Sequence, residues 1–186
     1  ARNRAIRHAR GQLLAFLDAD DLWLPTKLAR QVAYYDRFPE TGLLHTGAHV
    51  SSAPGPVALE TPEPADTPLK PPSSQYCSIF HLDKYVMTLT VMVPREVVLT
   101  LGLFEERREF HVEDWDLYLR IAAQYPVGYL PLPLAIHRPD GGMSSNVEKT
   151  FKGQQLVINK ALPLCESACP RHRAHPAPCL TGRPPL

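Results

Sequence analysis

Apolar positions come in short blocks whose period switches between that of a helix and that of a strand. Residues 2–9 place Ala5, Ile6 and Ala9 at helical spacing, and Gly11 supplies a stop. Leu13 to Leu17 is a continuous apolar run, too short for a helix and suited to a strand buried on both faces, as in parallel sheets. Pro25 opens a second helix, along which Leu28, Val32 and Tyr35 recur as the inward face. Leu43 to Val50 reads as a strand, and Met87 to Val93 alternates with the period of another. Glu96 to Leu101 is a short helix closed by Gly102. Asp114 to Gln124 is an amphipathic helix with Leu117, Ile121 and Ala122 inward. Val127 to Leu130 and Ala135 to His137 are two short strands. Helices alternate with strands, so the expected class is α/β.

Composition then divides the chain. Of its 186 residues 20 are proline, and seven of these lie between residues 54 and 72, so 51–75 is expected to be an exposed Pro-rich loop. Periodicity fades after about 160. The globular unit is therefore expected over 1–160, and a disordered tail over 161–186. In that tail Cys165, Cys169, His172, His175 and Cys179 are zinc-ligand types, but without a paired Cys-x-x-Cys spacing. A hydrophobic fraction of 44% is enough for a core, and a net charge of +1 argues against a nucleic-acid partner bound by bulk phosphate attraction. Four cysteines do not make a disulfide scaffold, so a reducing compartment is the default.

The chemistry sits where apolar blocks end. Asp18, Asp20 and Asp21 directly follow the first strand. Alternate residues of an extended segment face the same way, so Asp18 and Asp20 are expected on one face. Two carboxylates without an intervening cation repel each other, and a hard divalent ion relieves that cost. The plainer reading is a solvated turn that caps the helix at Pro25. Farther along, Glu113 and Asp114 stand at a helix start, where the macrodipole alone would favour them.

Taken in order, these segments resemble glycosyltransferase family 2 enzymes of the GT-A fold. The resemblance rests on Ala1-Arg2-Asn3-Arg4-Ala5-Ile6 through Gly11 and on Phe16-Leu17-Asp18-Ala19-Asp20-Asp21. It continues through Gly102-Leu103-Phe104-Glu105-Glu106, Glu113-Asp114-Trp115-Asp116-Leu117 with Arg120, Tyr129-Leu130-Pro131 to His137-Arg138, and Gly142-Met143-Ser144. It implies a metal-dependent inverting transfer of a sugar from a nucleotide-sugar donor to the hydroxyl of a glycan or lipid-linked acceptor. By that resemblance Asp20 and Asp18 hold Mn²⁺ or Mg²⁺ on the donor diphosphate, with His137 as a further metal ligand. Arg2 and Asn3 line the donor side, Asp114 is the general base and Glu113 meets the acceptor; Trp115 either offers an aromatic face to an acceptor sugar or is simply core. His111 falls in an acceptor loop. A cytoplasmic enzyme at the inner membrane face, working in polysaccharide biosynthesis and associated peripherally with the membrane, follows from the same likeness. The family's first nucleotide-binding strands have no counterpart here, so the resemblance implies an N-terminally truncated, incomplete GT-A domain, poorly stable and inactive by itself. The alternatives are a Mg²⁺-dependent haloacid-dehalogenase-like phosphatase and a non-catalytic remnant. Leu22 stands where the phosphatase motif expects Thr or Val.

Overall fold

The computed structural model describes residues 1–51, 68–138 and 147–168. Most of the expected Pro-rich loop, the Gly142-Met143-Ser144 segment and the tail from 169 onward lie outside the described residues.

In chain order the elements are α1 (Arg2–His8), β1 (Leu13–Ala15), β2 (Leu22–Trp23), α2 (Lys27–Arg37), β3 (Leu43–Val50), α3 (Tyr76–Phe80), β4 (Met92–Pro94), α4 (Arg95–Thr100), α5 (Glu113–Gln124), β5 (Val127–His137) and α6 (Val147–Ala168). Two single turns of 3₁₀ helix, Thr88–Thr90 and Arg108–Phe110, lead into β4 and α5.

The strands form one mixed sheet in the order β1-β4-β3-β5-β2. Its spine is the parallel pair β3 and β5, in register from Leu43↔Val127 to Val50↔His137. The remaining pairings are antiparallel. The two short strands expected at 127–130 and 135–137 are therefore one strand. Pro131 and Pro133 lack an N–H, and the register slips at Thr46/Gly47, where Leu130 and then Pro133 face successive residues of β3.

Alternation along the strands fills two apolar layers. Leu43, Val91, Val93 and Val127 point into the larger, with α3, α4, α5 and α6. Leu44, Met92, Leu130, Leu132 and Leu134 point into the smaller, against Tyr34 and Tyr35 of α2.

Several sequence expectations are corrected here. β1 has three residues and pairs antiparallel with β4, and Leu17 is exposed. The alternation at 87–93 yields β4 only from Met92, because Thr88–Thr90 winds into a 3₁₀ turn closed by the Thr90 hydroxyl on the Met87 carbonyl (2.7 Å). α1 buries Asn3 and Ile6, not Ala5. α2 buries Lys27, Gln31, Tyr34 and Tyr35, and leaves Leu28 and Val32 exposed. α6 crosses residue 160 and runs to Ala168, with Val157, Ala161 and Cys165 buried.

Candidate functional site

The acidic segment after β1 is a turn, not an extended run. The Asp21 N–H donates to the Asp18 carbonyl (3.2 Å), as Asp-rich turns do, so Asp21 parts from exposed Asp18 and Asp20. Asp21 turns inward and is 5% exposed. β2 pairs with the end of β5, which places Asp21 beside His137, and its Oδ1 meets His137 Nδ1 (2.9 Å) and accepts the Arg138 N–H (3.0 Å). Asp18 and Asp20 are exposed. Asp20 has no hydrogen-bond or ion-pair partner among the described residues, whereas Asp18 accepts from Arg2 (Nη2–Oδ1 3.2 Å).

Arg2 links this turn to α5. Its other terminal nitrogen donates to Glu113 Oε1 at 2.7 Å. The guanidinium thus spans two carboxylates that are 16 and 111 positions away in sequence. Asp18, Arg2, Glu113 and Asp114 share one neighbourhood, and attraction to Asp18, Glu113 and Asp114 together holds the Arg2 guanidinium above its ordinary value in spite of partial burial.

Asp114 follows Glu113 in the first turn of α5 and is half-buried. Its Oδ2 accepts from the Thr88 hydroxyl (2.8 Å), and its Oδ1 from the Trp115 N–H (2.8 Å). Burial raises its pKa above the usual carboxylate range, and nearby Glu113 adds to the rise. The two hydrogen bonds and the Arg2 charge oppose it. Asp114 forms part of the wall of a small pocket with Leu82, Lys84, Tyr85, Val86 and Gln154.

Two expected site residues are buried and hydrogen-bonded to backbone. Asn3 is 4% exposed. Its amide donates to the Phe104 carbonyl (2.8 Å) and to Glu106 (2.9 Å), and its oxygen accepts the Phe104 N–H (3.0 Å). With both ends of the amide occupied it pins α1 to the 102–106 turn. That turn needs left-handed backbone at Gly102 (φ +94) and Leu103 (φ +65), and Arg120 holds it through the Leu101 and Leu103 carbonyls. Trp115 is 8% exposed in the core, its indole N–H is donated to the Ile79 carbonyl (2.9 Å), and it is part of the lining of the same small pocket. His111 is exposed, with left-handed backbone (φ +37), where the chain swings into α5.

Sequence reasoning missed Thr88, Tyr118 and Tyr85. Thr88 sat within an alternation read as strand, and Tyr118 lay one position from the apolar stripe of α5. Tyr85, exposed and near enough to Asp114 to feel its charge, carries no motif.

Among the described residues no three or more His, Cys, Asp or Glu side chains converge as a metal cage. A cation held by the described residues would therefore take part of its coordination from outside the protein. That fits a hard cation completed by diphosphate oxygens and water. Exposed Asp20 supplies a carboxylate of the right kind, and Asp21 fixes His137 through Nδ1 and leaves Nε2 without a partner among the described residues.

Residues 1–82 match the family model described as glycosyl transferase family 2. The chain is 25% identical over 125 residues to an uncharacterized glycosyltransferase of Methanocaldococcus jannaschii, a match covering 66% of this chain and 40% of that protein. It is 27% identical over 139 residues to an uncharacterized protein of Mycobacterium bovis, covering 70% and 35%. Among solved structures it is similar to S. aureus TarS 1-349 in complex with UDP-GlcNAc, with a TM-score of 0.62 and 16% identity over 94% of this chain and 52% of that one. The longer TarS structure gives a TM-score of 0.58 and 14% identity, over 94% and 31%. The chain thus spans less than half the length of these curated relatives and about half of the shorter TarS chain. The fold is the α/β GT-A fold of nucleotide-sugar transferases.

Proposed function

Because residues 1–82 match the family model described as glycosyl transferase family 2, we propose that the chain carries the catalytic face of a metal-dependent inverting glycosyltransferase. It would move a sugar from a nucleotide-sugar donor to an acceptor hydroxyl. The supporting observation is the Arg2 bridge, which brings the acidic turn after β1 and the carboxylate pair opening α5 into one neighbourhood. The similar TarS structure is a complex with UDP-GlcNAc, so a UDP-sugar is the first donor to test.

In this reading Asp20, Asp18 and the free nitrogen of His137 are the groups that would hold Mn²⁺ or Mg²⁺ at the donor diphosphate. When bound, that ion supplies Lewis-acid stabilisation of the departing diphosphate. Asp114 accepts the acceptor's proton as its oxygen bonds to the anomeric carbon and the bond to diphosphate breaks. A carboxylate held above its ordinary pKa is a stronger base once ionised, which suits this role. Glu113 keeps Arg2 in place, and Arg2 balances the charge of Asp18. The acceptor enters along Lys84 and Tyr85, whose exposed ring offers a stacking face for a sugar. A glycan or a lipid-linked saccharide is the acceptor class this reading carries. No described helix is long and apolar enough to cross a membrane.

The test is release of UDP from a UDP-sugar with Mn²⁺, in the presence of acceptor glycan, by this chain and by a longer form carrying it. Asp20→Ala and Asp114→Asn should each lower turnover by about 10²-fold or more. Wild-type turnover in both variants would remove the reading.

A further inference from the structure

Behind Asp114 stands an ordered chain of hydroxyls, Thr88 and then Tyr118, the latter also part of the pocket lining. We infer that Thr88 and Tyr118 are positioning residues for the transfer step, forming a hydrogen-bond chain from Tyr118 through Thr88 that holds the Asp114 carboxylate in one orientation and in its proton-accepting form. The inference rests on the role proposed for Asp114 above.

The direction of the chain follows from donor inventory. An ionised carboxylate only accepts, so the single hydroxyl proton of Thr88 is committed to Asp114 Oδ2 at 2.8 Å. The Thr88 oxygen is then an acceptor, and the Tyr118 O–H at 3.3 Å fills it. Tyr118 is 1% exposed, and burial pushes its phenol well above the ordinary range, so it stays a donor at any working pH. Thr88 is itself 8% exposed, too enclosed for bulk water to replace either partner freely.

The strut that presents Thr88 is fixed from the other layer of the fold. Leu89 and Thr90, next in the same 3₁₀ turn, have their carbonyls held by the Trp23 indole N–H (2.8 Å) and the Gln31 amide (3.0 Å). Residues that follow the acidic turn therefore set the place of a hydroxyl that touches the carboxylate of α5. Other charged or titratable groups also face Asp114: Arg2 from α1 with Asp18 beyond it, neighbouring Glu113, and Lys84 and Tyr85 across the pocket. None of these donates a hydrogen bond to its oxygens.

The test follows the carboxyl carbon of Asp114 by ¹³C NMR through a pH titration of this chain, the signal being assigned by its loss in Asp114→Asn. Thr88→Val should move the midpoint upward by about one pH unit, about tenfold in proton affinity. Tyr118→Phe should move it upward by less, and Thr88→Ser should restore the wild-type value. In a transfer assay the acid limb of the kcat profile should move the same way, with donor KM unchanged. An unmoved midpoint in both Thr88→Val and Tyr118→Phe overturns the chain whatever the activity. Should Thr88→Val fail to fold, Tyr118→Phe, which removes one oxygen, decides alone. Shifted midpoints in this chain, together with no sugar transfer by a longer form carrying it, would sink the transferase reading and leave the hydrogen-bond chain standing.

Discussion

At the scale of single residues, the least expected side chain is Lys27. It is fully buried, and among the described residues its ammonium meets the Gln31 amide oxygen (2.6 Å) and the Trp23 ring (4.5 Å to the centroid) but no carboxylate. Burial alone pulls it down from 10.5 to about 8. Between those values the unfolded chain holds more protons than the native one, so stability rises with pH across that window. Below about 8 both states are charged and the full penalty, about 3 kcal/mol, is in force. Urea midpoints of the wild type measured against Lys27→Met should therefore converge as pH rises from 8, with the variant ahead at pH 7. The comparison between the two is needed because buried tyrosines such as Tyr34, pushed up to about 12, act with the opposite sign above pH 10 in both proteins. Asn3 makes the contrasting case. Asn3→Ala orphans both the N–H and the carbonyl of Phe104, and should cost about 2–4 kcal/mol in the same denaturation assay.

Elements were legible wherever a period ran long enough to bind one face. α5 lies where its stripe puts it, with Leu117, Ile121 and Ala122 buried, and β3 spans Leu43–Val50 as read. The failures have physical causes. On α2 the aliphatic residues Leu28 and Val32 mimic a buried stripe, but polar contacts to Thr90 and Met92 from Gln31 and Tyr35 rotate the helix by about a third of a turn. Threonines at 88 and 90 match a strand by propensity, yet the Thr90 hydroxyl competes for the backbone and curls it. The acidic turn hid the same way, since Asp21 N–H closes on Asp18 and takes the segment out of the extended form. The apolar residues of α6 are too thinly spread for their period to stand out, and its seating depends on a contact that no periodicity encodes. A Cβ at Gly153 would lie 2.3 Å from the Phe110 carbonyl oxygen, so only glycine lets the helix rest on the 108–110 turn. Gly153→Ala should cost about 1–3 kcal/mol in denaturant. It should also displace the amide resonances of Val112 and Glu113, because that turn feeds directly into α5.

For the whole molecule, α6 acts as the rear wall of the candidate site. It buries Val157, Ile158, Ala161 and Cys165 and accepts the Tyr76 hydroxyl on the Ala161 carbonyl (2.9 Å). Its Lys160 reaches buried Asp116 (2.8 Å) and Glu105 (3.5 Å), so it ties α5 to the 102–106 turn. A polypeptide ending at 146 would expose these apolar faces and lose several kcal/mol of burial, at about 1.5–3 kcal/mol for each large side chain. It should melt without a cooperative transition by circular dichroism, whereas one ending after Ala168 should retain it.

The guanidinium of Arg2 has a consequence for anyone who would recombine this domain with a relative. Because it neutralises one acid from the early part of the chain and one from the late part, a hybrid joined between them inherits half of a matched set. A crossover anywhere from residue 19 to 112 would leave the outcome to whether the donor of the later piece also carries an acid at the position of Glu113, and mismatched hybrids should fail as a class while matched ones survive.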